Sequence, residues 1–215
     1  MRKRICLADG EDPRFIRAGL RLQADGALTP VVIVRPAEVR RVGRSIGMPV
    51  PSDLAIHDPA GTAHAEKYGE VLADLLSDKR VSRQLILGLT TDPVYVAALM
   101  VRLGHVDGAV AGASRATADV IGAGLRVLGL ASGSRAVTSC LLMALANGRT
   151  LAYGGWAVIP TPTPGQLADI AIQTASTVER LTGEPPIVAL LSFRHQGQRG
   201  SREHRPCSGG GGTGA

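Results

Sequence analysis

Residues 112–119, Gly-Ala-Ser-Arg-Ala-Thr-Ala-Asp, place two hydroxyls, a guanidinium and a carboxylate within eight positions. An apolar run, VDGAVA (106–111), precedes them and another, VIGAGL (120–125), follows. A strand that ends here and turns into a helix points backbone N–H groups outward at the helix start. Ser114 and Thr117 add hydroxyl donors, Arg115 adds a fixed positive charge, and the small residues let an anion the size of a phosphate reach the backbone. The same residues also suit an ordinary helix start, capped by Ser114 or Thr117 with Asp119 in the first turn. A second candidate, Gly10-Glu11-Asp12-Pro13-Arg14, follows ICLA (5–8). It falls at the carboxyl edge of a first strand, where open α/β sheets bind ligands. It reads equally as a helix N-terminus whose acids complement the dipole.

Other short-motif chemistries are unsupported. The chain has no GxxxxGK[ST] or HExxH. GxSxG occurs only as Gly43-Arg44-Ser45-Ile46-Gly47, inside the helical pattern that Pro36 opens rather than on a strand-to-helix turn. GxGxxG occurs only in the terminal glycine run (209–214), with no strand pattern before it or helical pattern after it, so P-loop, dinucleotide, zinc-protease and nucleophile-elbow readings fall away. Its five histidines show no metal-ligand spacing with cysteine or carboxylate, and His57 and His105 read as structural. No metal site is expected.

The elements that must hold these residues alternate. Strand-like runs ICLA (5–8), PVVIV (30–34), LAIHD (54–58) and VDGAVAG (106–112) are separated by segments of helical period. Asp12-Pro13 opens one helix, with Ile16, Leu20 and Ala24 on a face, and Pro36 opens another, with Val39, Val42 and Ile46 together. Asp92-Pro93 repeats that start ahead of VYVAALMVRL. Such alternation implies right-handed crossovers and a largely parallel sheet flanked by helices, an α/β fold. Aromatics are only 3% of the chain, so Ala, Val, Leu and Ile must build the core.

Past residue 135 the pattern changes. AVTSCLLMAL (136–145) and TLAYGGWAVI (150–159) flank Asn147-Gly148, a strong hairpin signal. Thr163-Pro164-Gly165-Gln166 is a capping box that opens a helix to about Leu181, and Gly183 closes it. IVALLSF (187–193) reads as a strand buried on both faces. The division is therefore a first α/β domain over 1–135, an incomplete second α/β subdomain over 136–193, and a tail over 194–215. That tail contains no Val, Ile, Leu, Met or aromatic residue and is expected to be disordered.

Charge excludes little. Of the net +6, half comes from the tail, where Arg194, Arg199, Arg202 and Arg205 face Glu203 alone. The body shows neither the basic stripe nor the stacking aromatics of a nucleic-acid binder. Cys6, Cys140 and Cys207 are odd in number and far apart, so no disulfide framework is expected. The start, MRKRICLADGED, lacks the apolar stretch of a secretory signal, and no run reaches the length of about 18 apolar residues that a membrane span needs. A cytoplasmic protein is expected, with no nucleic acid and no membrane as partners.

In order and spacing, LADGEDPRFIRAG, TDPVYVAALMVRLGHVDGAVAGASRATAD, the hairpin region, PTPGQLADIAIQTA and IVALLSF resemble the phosphate acetyltransferase and phosphate butyryltransferase family across about residues 3–193. The resemblance implies a two-domain α/β acyltransferase, typically a homodimer. It would exchange an acyl group between coenzyme A and inorganic phosphate, with acetyl-CoA or CoA as substrate and no other cofactor. Ser114, Arg115, Thr117 and Asp119 would be substrate-binding residues, the first, third and fourth matching the family's hydroxyl-hydroxyl-acid pattern. Four departures accompany the match. Gly122 and Leu76 stand where family members commonly carry arginine, leaving Arg115 and Arg126 as the available guanidiniums. Gly154-Gly155-Trp156 stands where an acid is common. The family's C-terminal part, which supplies the serine, arginine and aspartate credited with oxyanion stabilisation and proton transfer, has no counterpart, so the catalytic residues are unknown and activity is expected to be very low. Read from the second base of their codons, Arg194–Arg199 permit Ala-Thr-Lys-Gly-Ser-Ala, close to the turn that usually follows the family strand; residues 194–215 are expected to be an out-of-frame tail. The alternatives are an inactive ligand-binding or regulatory protein of the same fold and, less well supported, a nucleic-acid binder using the tail or a decarboxylating dehydrogenase.

Overall fold

The computed structural model describes residues 2–77 and 81–191; the expected tail at 194–215 lies outside them. The chain divides at Gly129/Leu130 into two compact units.

In the first unit four strands, β1 (Arg4–Leu7), β2 (Thr29–Ile33), β3 (Ala55–His57) and β4 (Gly108–Val110), form a parallel sheet in the order β3-β2-β1-β4. Ile5 pairs with Pro30 on one side and Gly108 on the other, so β1 is central. The helices are α1 (Pro13–Asp25), α2 (Pro36–Ile46), α3 (Thr62–Leu75), α4 (Arg83–Leu89), α5 (Pro93–Arg102) and α6 (Thr117–Val127). Side-chain alternation along the strands feeds two cores. Leu7, Val32 and Val34 join Ile16 of α1 and Val42 and Ile46 of α2 on one face. Cys6, Ala8, Val31 and Ile33 join Tyr68 and Leu72 of α3, most of α5, and Ala123 and Val127 of α6 on the other. Both faces are covered, which is why these strands read as unbroken apolar runs rather than alternating ones. Helix α5 is buried from Val94 through Met100, as befits a helix hydrophobic on all sides.

Local signals place the helix starts. Asp12 and Asp92 cap α1 and α5 through their carboxylates, and each is followed by proline at the first helical position. At the far end of the sheet, Asp107 accepts from Lys3 Nζ and from the backbone N–H of Arg4, joining the starts of β1 and β4.

The second unit contains the hairpin β5 (Cys140–Ala144) and β6 (Thr150–Gly154), with Leu142 opposite Ala152 and Gly148 at φ 80° in the turn. Helix α7 (Pro164–Thr182) carries the complete capping box, Thr163 Oγ1 accepting from the Gln166 N–H and the Gln166 side chain accepting from the Thr163 N–H. The run from Ile187 differs from expectation. No strand forms over its described residues, 187–191, and Ile187 is 100% and Leu191 83% exposed. Apolar content alone does not make a buried strand: its N–H and C=O groups need neighbours to pair with, and no described strand lies alongside it.

Candidate anion site at the carboxyl edge of the sheet

A cavity of about 390 Å³ opens beyond the carboxyl ends of β1 and β2, the position where a parallel sheet offers its crevice. Asp9, Gly10 and Glu11 enter it from the β1–α1 loop, Arg35 from the start of α2, and Ser114 and Arg115 from the β4–α6 turn.

The turn is organised around a carboxylate. Gly112, at φ 104°, lets two consecutive amides point the same way. Its N–H and that of Ala113 both donate to Asp9 Oδ2, at 2.7 and 3.0 Å, while Ser114 Oγ donates to Asp9 Oδ1 at 2.8 Å. Asp9 itself is buried, 6% exposed. Arg14 donates through Nη2 to the Ala113 carbonyl at 2.8 Å and also grips Asp12; the Arg14 guanidinium holds the Asp12 carboxyl below its ordinary range. The two cavity guanidiniums are ion-paired: Arg35 with Glu11 at 2.8 Å, and Arg115 with Asp92 at 2.5 Å.

Sequence and geometry can now be compared residue by residue. Ser114 and Arg115 line the cavity. Thr117 and Asp119 are exposed in the first turn of α6 and are absent from the lining. Neither hydroxyl caps that helix, contrary to the capping alternative. Ala116 is the N-cap without a side-chain bond, because the Ser114 hydroxyl goes to Asp9 and Thr117 is already the first helical residue. Arg126 folds back over Gly122, where a Cβ would stand 3.2 Å from its Nη1, and donates to Tyr95 Oη at 2.6 Å; it is not a cavity residue. Leu76 belongs to the hydrophobic core, 3% exposed.

Asp9 is the residue that sequence reasoning missed, along with Asp92 in its second role as partner to Arg115. The available signal was an acid placed directly after the apolar run of β1. Among the described residues no group of three or more His, Cys, Asp or Glu side chains could hold a metal ion. Away from the cavity, His57, His64, Tyr68 and His105 cluster with ring centroids 5.3–6.5 Å apart. Burial, and then the neighbouring His64, lowers the pKa of His57 and of His105. Burial pushes the Cys6 thiol up to about 12.

Comparison with known proteins follows this geometry. The sequence model of one family, described as phosphate acetyl/butaryl transferase, matches residues 1–206. A phosphate acetyltransferase of Deinococcus radiodurans is 34% identical over 201 residues, covering 94% of this chain and 28% of that protein. One from Thermoanaerobacterium thermosaccharolyticum is 29% identical over 201 residues, covering 91% and 60%. A phosphotransacetylase structure from Streptococcus pyogenes superposes with a TM-score of 0.81 at 26% identity, over 94% of this chain and 60% of that one. The chain thus spans between about a quarter and three fifths of the length of these relatives.

Proposed function

This chain belongs to the phosphate acetyl/butaryl transferase family, and we propose that it serves acyl exchange between coenzyme A and inorganic phosphate, acetyl-CoA and phosphate giving acetyl phosphate and CoA. The carrying observation is the cavity at the carboxyl edge of the sheet, with Arg115 and Ser114 set in its wall by a turn of small residues. Acyl exchange requires an oxyanion and a thioester held in near-attack geometry and a group to take the thiol proton. The first unit offers the holding part: Arg115 as the guanidinium, with Thr117 and Asp119 at the adjoining helix start. It does not offer the proton-transfer part, since the cavity lining holds no His, Lys, Cys or Tyr, Asp9 is buried and already accepts three hydrogen bonds, and Glu11 is ion-paired. Turnover by this chain is therefore expected to be very low. The reading carries with it a cytoplasmic homodimer acting on small molecules, without nucleic acid or membrane. No single helix among the described residues is long and apolar enough to cross a membrane.

A second reading, a ligand-binding or regulatory protein that keeps the fold, is favoured by Leu76 in the core and by Arg126 lying over Gly122. One experiment addresses both: calorimetric titration of the full chain with CoA and with acetyl phosphate, beside an assay of acetyl-CoA formation. Binding with slow turnover is expected. Binding with no turnover supports the second reading, and no binding of either compound at millimolar concentration overturns both.

A further inference from the structure

We propose that Asp9 is a positioning residue: its buried carboxylate is the internal anion on which the 112–115 turn is built, and by fixing that turn it presents Arg115 to the cavity. This rests on the cavity being the anion site of the proposed acyl exchange.

Three donors from a segment more than a hundred residues away in sequence converge on this one side chain. Two amides and a hydroxyl around a carboxylate form the kind of seat that elsewhere holds a bound oxyanion. Here the chain fills the seat itself, so an incoming anion must rely on donors other than these three. The backbone leaves Asp9 little freedom. Its carbonyl accepts from the Asp12 N–H, and the next residue, Gly10, donates to the Ile33 carbonyl. A Cβ on Gly10 would stand 2.2 Å from that oxygen, so the loop lies flat against β2 and the Asp9 side chain reaches across to the β4 side. The same loop grips the turn's other polarity, since Arg14 donates to the Ala113 carbonyl. Of the 112–115 turn, Asp92 holds the Arg115 side chain alone; the backbone that aims that side chain depends on Asp9. The Gly-Glu-Asp-Pro-Arg stretch thereby acquires a purpose beyond starting α1.

The test uses the full chain as wild type, Asp9→Ala and Asp9→Asn. Hydrogen exchange of the 108–119 segment and CoA affinity by calorimetry are measured with formate or with chloride at equal ionic strength. In Asp9→Ala the Gly112 and Ala113 amides are expected to exchange at least about tenfold faster while the β5–β6 hairpin stays unchanged. CoA affinity falls about tenfold or more, and formate, entering the vacated seat, restores both where chloride does not. A role in folding alone does not predict recovery by a small carboxylate. Asp9→Asn keeps the shape and an acceptor for the two amides, with its NH2 toward the Ser114 hydroxyl, but removes the charge that strengthens those bonds; it gives the same direction at smaller magnitude and serves where Asp9→Ala does not fold. Unchanged exchange at Gly112 and Ala113 in the folded variants overturns the proposal, as does accelerated exchange with CoA affinity intact. A wild type that binds no CoA refutes the acyl-exchange reading alone, and accelerated exchange with formate recovery then still supports Asp9 as the residue that holds the turn.

Discussion

Replacing Gly10 by alanine tests whether the cavity floor is as tightly built as its geometry indicates. The new Cβ would lie 2.2 Å from the Ile33 carbonyl oxygen, 2.7 Å from Val32 Cγ1 and 2.8 Å from Val34 Cβ. None of these is the far end of a flexible side chain, so the β1–α1 loop must lift off β2. Overpacking of this kind costs about 1–3 kcal/mol. Lifting also breaks the Gly10 N–H to Ile33 C=O bond at 3.1 Å, and an unsatisfied buried carbonyl adds about 1–3 kcal/mol. The sum, roughly 2–6 kcal/mol, lowers the thermal midpoint by roughly 5–20 °C in a chain of this size. Gly88 is the internal control. It lies inside α4 with nothing within 4 Å of its Cβ position, so Gly88→Ala should stabilise by up to about 1 kcal/mol. Both variants are measured by thermal and denaturant unfolding followed by circular dichroism. A Gly10→Ala protein melting within about 2 °C of wild type would refute the reasoning, because it would show that the loop has room which the distances deny.

Three further outcomes are expected. His57 and His105 are held neutral in the fold by burial; the unfolded chain takes up protons first as pH drops below about 6.5, so stability is full above that pH and is lost as pH falls. The urea midpoint should decline from about pH 7.5 to about pH 5.5, and His57→Leu should flatten that decline. Cys6, buried and raised to about 12, should escape alkylation in the native protein at mildly alkaline pH and react only on unfolding, as peptide mass spectrometry can read. Asp92→Ala removes the α5 cap, which accepts from the Val94 N–H at 2.9 Å, together with the partner of Arg115. It should cost about 1 kcal/mol in denaturant unfolding, and the Arg115 Nη2 protons, which donate to Asp92 Oδ2, should shift upfield and exchange faster; unmoved Nη resonances would contradict the ion pair.

What the sequence disclosed, and what it did not, divides by the distance over which each feature is decided. Asp12-Pro13, Asp92-Pro93, Thr163 with Gln166, and Asn147-Gly148 each act within a few residues, and each does in the structure what its local chemistry demands. The parallel order was legible for a related reason: β1 and β2 read as near-continuous apolar runs because helices cover both faces. Asp9 was not legible, since its partners lie 103 to 105 positions away and a single acid after a strand looks like any solvated loop residue. Ile187–Leu191 failed in the opposite sense: strong apolar character without the neighbouring strands that give such a run its pairing.

The same contrast bears on how the cavity can recognise an anion. A turn of small hydroxyl residues suggests open donors awaiting a ligand, yet the amides of Gly112 and Ala113 and the Ser114 hydroxyl already face Asp9. Both cavity guanidiniums are likewise paired, Arg35 with Glu11 and Arg115 with Asp92. In the proposed acyl exchange, an incoming dianion therefore has to exchange places with carboxylates rather than meet bare positive charge. Such exchange rewards a ligand that offers two oxygens to one planar guanidinium, as phosphate does, over a halide of similar size. It also keeps the unliganded site from holding unpaired charge in a half-buried crevice, where isolated ions are costly. On the proposed role of Asp9, selectivity comes from the angle at which Arg115 leaves the backbone, and that angle is set from the other end of the sequence, at the end of β1.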